Sequence, residues 1–371
     1  MDWGKIYKIK DSVDIYLVDE TYIVAYFMNT RQKKKFRVSN GSVHIIEIID
    51  GINNIENIYN TYCLKNGTIS RKGFSTFFNC LLKSGLIIEK SQKHILSSSE
   101  LKRFNRQINY FSEFLSSELA AEKAQKKLLN SVVAIWGCGA VGGNLAVQLA
   151  MAGVGTFILI DPDVVEESDC SRHVYFKQES VGDKKVESLA DYIKSINPAI
   201  KTYISYQWLH PNADLSEILK KATFLIDAAD EPYLGYTANL ISQNCVPIKL
   251  PHYIAGGFDA HLASTGELII PYITPCAGCY STYFERVLSD WKPEHHPIKN
   301  REKEMGGLAA MSLFSSSFAC IEIIKYICGL KDMKVAYKPR AEFLFNGMKL
   351  FNLTPSKDPN CKICGGADHE L

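Results

Sequence analysis

Three glycines in six residues, Gly137-Cys138-Gly139-Ala140-Val141-Gly142, follow the apolar run Val132 to Trp136 and precede a helical segment, Asn144 to Ala152. A G-x-G-x-x-G turn between a strand and a helix is suited to phosphate. Its glycines let the backbone approach the anion, and the helix N-terminus offers N–H groups and a favourable dipole. Asp161, 19 residues after Gly142, closes the next apolar run, Phe157 to Ile160. A carboxylate there can accept hydrogen bonds from ribose hydroxyls. On these residues alone NAD fits as well as ATP. A second chemistry lies in the cysteines: four of the 11 form Cys276-x-x-Cys279 and Cys361-x-x-Cys364. Two such knuckles build a tetrahedral four-thiolate zinc site with no open position, hence a structural Zn²⁺ rather than a catalytic one. The other cysteines are scattered and read as small buried apolar side chains.

Further segments stand around the glycine turn in a fixed order. Arg103-Phe104-Asn105-Arg106-Gln107 precedes it; Asp161-Pro162-Asp163, Arg172, Val181-Gly182-Asp183-Lys184-Lys185-Val186-Glu187-Ser188 and Asp227-Ala228-Ala229-Asp230 follow. In this order they resemble the ThiF-like adenylyltransferases, relatives of the ubiquitin-activating enzymes, over roughly residues 101–365. The resemblance implies that Gly137, Gly139, Gly142, Asp161 and Asp163 bind ATP, with Asp161 on the ribose. It further implies Arg172 and Lys185 on the triphosphate, Asp230 on Mg²⁺, and Arg106 supplied across a homodimer interface. Such a set suits the reaction, because a carboxylate attacking the α-phosphate must overcome charge repulsion while pyrophosphate departs. Two positions depart from the family pattern. Asp169 stands where relatives usually carry Asn, and a second carboxylate there would repel ATP unless Mg²⁺ or a neighbouring cation offsets it. His173 stands where Gln is common. Ubiquitin-activating enzymes also carry a thiol that captures the activated carboxylate. The stretch Asp290 to Gly307, with His295-His296-Pro297, holds no cysteine, and Cys320 and Cys328 fall in a core-like helix. No thioester step is therefore expected, and the stretch reads as a lid over the substrate.

These residues must be carried by a particular scaffold. The alternation of apolar strands (132–136, 157–160, 224–226) with helices predicts an α/β fold, a Rossmann-like parallel sheet with helices on both faces. The 371 residues allow two or three domains, and Ser97-Ser98-Ser99-Glu100 marks the break: 1–97, then 98–371. The first part reads as a small α+β module. Runs 13–18 and 22–28 form a hairpin, Phe36-Arg37-Val38 adds a strand, and helical spacing follows at Ile55, Ile58, Tyr59, Tyr62 and at Phe74, Phe77, Phe78, Leu81. Leu86-Ile87-Ile88 closes it. This winged-helix-like module resembles the leader-recognition domains of enzymes that modify ribosomally made peptides, with Val43 to Gly51 as its helix and Asp-Gly turn. There the leader peptide adds a strand to a sheet edge.

Together the two parts resemble the microcin- and pantocin-type adenylyltransferases. That resemblance implies ATP- and Mg²⁺-dependent adenylation of a precursor-peptide carboxyl during peptide-antibiotic biosynthesis. Capture by a nucleotide or an intramolecular nucleophile would follow. Activation of a small sulfur-carrier or ubiquitin-like protein is the nearest alternative, and a leader-binding scaffold without catalysis the next. Composition narrows the field further. A formal charge of +2 and no long basic block argue against general nucleic-acid or anionic-membrane binding. Arg31-Gln32-Lys33-Lys34-Lys35 reads as a solvated loop. No signal peptide opens the chain, and Leu313 to Leu330 carries Glu322 and Lys325 at its centre, so a cytoplasmic protein in a reducing compartment is expected.

Overall fold

The computed structural model describes residues 1–19, 21–291, 306–330 and 340–365. It forms two compact units, Met1–Lys126 and Lys127–Leu371.

The first unit runs β1 (Ile6–Ile9), β2 (Val13–Asp19), β3 (Tyr22–Phe27), β4 (Gln32–Arg37), α1 (Asn40–Glu47), β5 (Asp50–Asn54), α2 (Ile55–Asn66), α3 (Arg71–Lys83), β6 (Ile87–Glu89) and α4 (Ser98–Ser112). Helix α5 (Glu118–Asn130) crosses into the second unit. Two three-stranded sheets, β5-β1-β6 and β2-β3-β4, share a core with α1–α3. Ile45, Ile55, Ile58, Phe74 and Phe78 are its buried centre, which explains the i, i+3, i+4 spacing of the helices. Asp50-Gly51, expected as a turn, opens a strand paired with β1.

The lysine run expected as a solvated loop is also strand. β4 pairs with β3 from Gln32 to Arg37 and lies at a sheet edge. Its side chains stay solvated while Lys34 and Lys35 lie over the Phe27 and Tyr22 rings, 4.6 and 4.0 Å from the centroids. Charge indicates solvation but not backbone shape, and lysines are common guards of an exposed edge.

The residue-97 break falls at the N-cap of α4. Ser97 Oγ accepts the Glu100 N–H there, and Glu100 returns a carboxylate to the Ser97 N–H. Even so, α4 and most of α5 group with the first unit. Glu122, buried on α5, accepts the Ile95 N–H at 2.9 Å and lies 2.6 Å from His94 Nδ1.

The second unit continues with β7 (Val132–Trp136), α6 (Gly142–Ala152), β8 (Thr156–Ile160), α7 (Lys185–Ile196), β9 (Lys201–Ser205), α8 (Ser216–Lys221), β10 (Phe224–Asp227), α9 (Leu234–Cys245), β11 (His252–Ile254), β12 (Phe258–Asp259), β13 (Leu262–Ser264), β14 (Glu267–Ile269), α10 (Ala277–Val287), α11 (Ala309–Cys328), β15 (Arg340–Leu344) and β16 (Lys349–Leu353). Its main sheet has the order β14-β11-β10-β7-β8-β9, parallel except for β14. Strand order reverses between β7 and β10, and the crevice outside their carboxyl ends is where this architecture binds ligands. A smaller antiparallel sheet, β12-β13-β15-β16, lies beside it.

Helix α11 is long and apolar enough to cross a membrane by length and hydropathy alone. It packs against α6, with Ser312, Ser315, Ser316, Ala319 and Ile323 buried, and Gln148 of α6 donates to Ser316 Oγ at 3.0 Å. Core packing accounts for its apolar run. Cys320 and Cys328 are buried on it, and burial pushes both thiols up to about 12. The expected lid, Asp290 to Gly307, lies almost entirely outside the described residues.

Candidate nucleotide site and four-cysteine cluster

The three motif glycines serve different ends. Gly137 sits at φ +87°, and a Cβ there would meet the Ala228 carbonyl at 2.5 Å. A Cβ on Gly142 would strike the Gly137 carbonyl oxygen. Both are required for the glycine turn to close on itself and on the strand-β10 loop. Gly139 is different: nothing lies within 4 Å of where its Cβ would point. Its open side is the face from which a phosphate can reach the backbone. Tyr175 locks the turn from below, donating its hydroxyl to the Cys138 carbonyl at 3.0 Å.

Asp161, just past β8, is 5% exposed and spends both carboxylate oxygens on backbone. Oδ2 accepts the Cys138 N–H at 2.7 Å and Oδ1 the Asp163 N–H at 2.9 Å. Burial raises its pKa above the usual carboxylate range, against the pull of those two donors and Lys185. It therefore shapes the glycine turn, and its remaining lone pairs are what a ribose could use.

A cluster of charges gathers around Asp169, whose side chain is 4% exposed. Arg172 Nη2 lies 3.1 Å from Oδ1, Lys185 Nζ lies 3.5 Å from Oδ2, and the Glu166 N–H donates to Oδ2 at 3.0 Å. Lys185 also reaches Asp163 Oδ2 at 3.3 Å. Burial works against the Lys185 charge, but Asp169, Asp161 and Asp163 outweigh it and hold the ammonium above its ordinary pKa. Lys184 points elsewhere, donating to the Pro162 carbonyl at 2.6 Å. Arg172 is set in place by α6. Asn144 Nδ2 donates to the Arg172 carbonyl at 3.3 Å, and Asn144 Oδ1 accepts the Val174 N–H at 3.2 Å. The buried Arg172 Nε has no partner among the described residues. His173 is buried and kept neutral by desolvation, so Nδ1–H donates to the Asp169 carbonyl at 2.8 Å and Nε2 is bare.

The structure thus brings Gly137, Gly139, Gly142, Asp161, Asp163, Arg172 and Lys185 to one edge of the sheet. Asp230 is exposed on the loop after β10, the loop that Gly137 packs against. Arg106 is exposed on α4, in the first unit. The Asp169 cations were visible in the sequence but their convergence was not. The sequence asks for Mg²⁺ or a neighbouring cation to offset Asp169, and Arg172 and Lys185 both lie beside it. Asp227 and Glu267 were not legible as buried acids. The only signal was a carboxylate at the edge of an apolar strand.

Cys276, Cys279, Cys361 and Cys364 are all buried, with their sulfurs within 4.8 Å of one another. Measured edges are 3.9 Å (Cys276–Cys279), 3.5 Å (Cys276–Cys361) and 3.4 Å (Cys279–Cys364). A tetrahedron with Zn–S bonds of about 2.3 Å has edges of about 3.8 Å. The backbone is prepared for it: a Cβ on Gly278 would meet Cys361 Sγ at 2.8 Å, and the Asp358 N–H donates to Cys279 Sγ at 3.4 Å. Donor set and spacing fit a metal that prefers four sulfurs.

Comparison with known proteins places this geometry. The ThiF family model matches residues 104–363. The vegetative HesA protein of Trichormus variabilis is 28% identical over 277 residues, covering 73% of this chain and 91% of that protein. The adenylyltransferase and sulfurtransferase UBA4 of Lodderomyces elongisporus is 28% identical over 275 residues, 73% of this chain and 55% of its own length. Among solved structures, E. coli MccB superposes with a TM-score of 0.72 at 21% identity, covering 98% of each chain. MccB has also been solved with ATP and, as the microcin C7 biosynthetic enzyme, with N-formylated MccA. With its glycine turn, its nucleotide-facing sheet edge and a family match over most of its length, the chain belongs to the ThiF family and is an ATP-dependent adenylyltransferase.

Proposed function

We propose that this enzyme adenylates a carboxyl group of a ribosomally made precursor peptide in peptide-antibiotic biosynthesis, and that the acyl-adenylate is then captured by a nucleotide or a group of the peptide itself. One observation carries the reading. The likeness to MccB spans both units of the chain, whereas the HesA match leaves about a quarter of this chain uncovered and uses nearly all of HesA. A unit outside the ThiF match gives a peptide-adenylating enzyme a place to hold a leader segment. In this reading residues 1–97 hold the leader of the peptide, and residues 98–371 do the chemistry as half of a homodimer.

The step is a displacement at the α-phosphorus. A peptide carboxylate oxygen forms the new P–O bond, the bond from the α-phosphorus to the bridging oxygen breaks, and pyrophosphate leaves with that electron pair. Lys185 and Arg172 hold positive charge at the phosphate edge of the sheet, and Gly139 opens the backbone to it. Asp161 faces the ribose. The exposed carboxylate of Asp230 suits Mg²⁺, which would neutralise charge on the phosphates. Arg106 would complete the partner's site. The four cysteines would hold Zn²⁺ as a clamp joining the start of α10 to the chain near its C-terminus.

Kinship with UBA4 favours a second reading, activation of a sulfur-carrier protein. ATP–pyrophosphate exchange separates the two. Short peptides encoded beside the gene should support exchange only when their leader segment is attached. Exchange with a Gly-Gly-terminated carrier protein, and with none of the peptides, would overturn the peptide reading.

A further inference from the structure

Asp227 closes β10 at the carboxyl edge of the sheet, and it is wholly buried. Its Oδ1 accepts the Ala229 N–H at 3.2 Å, while the buried Oδ2 has no partner among the described residues. The turn it caps carries Asp230, and that turn is pinned on other sides too. The Ala228 N–H donates to the Trp136 carbonyl at 2.7 Å, Thr237 Oγ1 donates to the Ala229 carbonyl at 2.8 Å, and Gly137 packs against its backbone. Along the sheet Asp227 stands opposite Trp136 of β7 on one side and Ile254 of β11 on the other, with Glu267 of β14 opposite Ile254. Paired residues share a face, so these side chains form one buried row.

The groups that bear on Asp227 are almost all acidic or neutral. Glu267 on β14 and Asp230 on its own loop disfavour its charge, and the Thr237 hydroxyl on α9, which donates to backbone carbonyls, is neutral. Cys245 on α9 and His252 on β11 are neutral; the His252 ring is tied to Ser242 and the Leu250 carbonyl. Arg340 lies 3.6 Å from Glu267. Burial, with no cation acting on it among the described residues, pushes the Asp227 carboxyl up to about 8.

We infer that Asp227 is a positioning residue, which through the Ala229 N–H that its Oδ1 accepts fixes the 228–230 turn and so sets the Asp230 carboxylate in place. This rests on the reading of Asp230 as the Mg²⁺-binding acid. An uncharged group that only accepts one N–H can be replaced by an amide of the same shape, whereas a buried negative charge strains the turn it caps.

The test compares Asp227→Asn and Asp227→Ala with the wild-type full chain, by ATP–pyrophosphate exchange from pH 6 to 9.5 and by thermal unfolding over the same range. Asp227→Asn should retain exchange at pH 7 within about threefold, and it should lack the fall in rate expected of the wild type above pH 8. Asp227→Ala should lose at least about tenfold and need more Mg²⁺ for half-maximal exchange. Unfolding supplies a readout that activity does not. The native carboxyl keeps its proton to about pH 8 while the unfolded chain releases it near 3.8. Raising pH through that window therefore favours the unfolded wild type, and the melting temperature of Asp227→Asn should pull ahead of the wild type between pH 6 and 8. A wild-type-like alkaline limb in Asp227→Asn, or a loss as large as that of Asp227→Ala, would overturn the inference. So would a melting difference that does not widen with pH. Failure of the peptide reading would look different: the wild type itself would show no exchange with peptides, while the unfolding difference would remain.

Discussion

Lys185 Nζ and Asp169 Oδ2 lie 3.5 Å apart, both nearly out of solvent, with Arg172 on the other carboxylate oxygen. An acid at the phosphate edge of a nucleotide site works against an anionic ligand, and this one is held between the two cations that would meet the triphosphate. It fixes their positions at the cost of part of their field. Replacing Asp169 by Asn keeps an acceptor for the Glu166 N–H and removes the charge. At an effective dielectric near 20 and about 6 Å, one unit charge acting on another is worth about 3 kcal/mol, and solvent and salt screen roughly half of that. Asp169→Asn should therefore lower the KM for ATP by up to about tenfold and reduce kcat, because Lys185 and Arg172 lose their anchor. Steady-state kinetics at two salt concentrations checks this; an unchanged KM would mean Asp169 does not face the nucleotide.

The glycines permit a sharper separation of folding from binding. Gly139→Ala places a methyl into open space and should leave the melting temperature within about 2 °C, yet raise the KM for ATP by about tenfold or more. Gly142→Ala drives a methyl into the Gly137 carbonyl and should cost more than about 3 kcal/mol. Chemical denaturation and ATP titration of the two proteins would show the contrast. Equal effects on folding and binding would remove Gly139 from the phosphate site.

How far the sequence reached depends on where each signal lives. Period and chain order are local, so the strands 132–136 and 157–160, the glycine turn and the paired cysteines were legible. Lys33 to Lys35 misled because charge says that side chains are solvated, and a solvated edge strand and a solvated loop carry the same charges. At Asp169 the sequence left open whether Mg²⁺ or a neighbouring cation would offset the charge. Its environment is made by Arg172 within its own turn and by Lys185 from a helix start 16 residues on, and only the fold brings the second cation in. Asp227 and Glu267 fall together through the register of three strands, and no spacing in the sequence encodes that.

The cysteine cluster predicts one zinc per chain, released slowly by chelators because the four sulfurs are buried. Cys361→Ser should lower the zinc content below half of the wild type and depress the melting temperature by about 5 °C or more. Turnover should fall with the folded fraction rather than through KM for ATP, since the cluster has no open coordination position. Elemental analysis beside kinetics checks this. Full zinc in the variant, or a specific rise in KM, would show that the thiols serve another purpose.

Arg106 and Asp230 allow a test of shared sites. Alanine at either position, or at Lys185, should cut exchange by at least about a hundredfold while the circular dichroism spectrum stays native, because each acts on charge in the transition state. If Arg106 serves the partner's site, a mixed dimer of Arg106→Ala and Asp230→Ala subunits has one site damaged twice and one intact. Co-refolding equal amounts of the two inactive variants should then restore roughly a quarter of wild-type exchange, from random pairing of two-fold dimers. Recovery that follows the mixing ratio would establish the exchange of Arg106 between subunits. No recovery, with mixed dimers verified by mass, would place Arg106 at its own chain's site or at none.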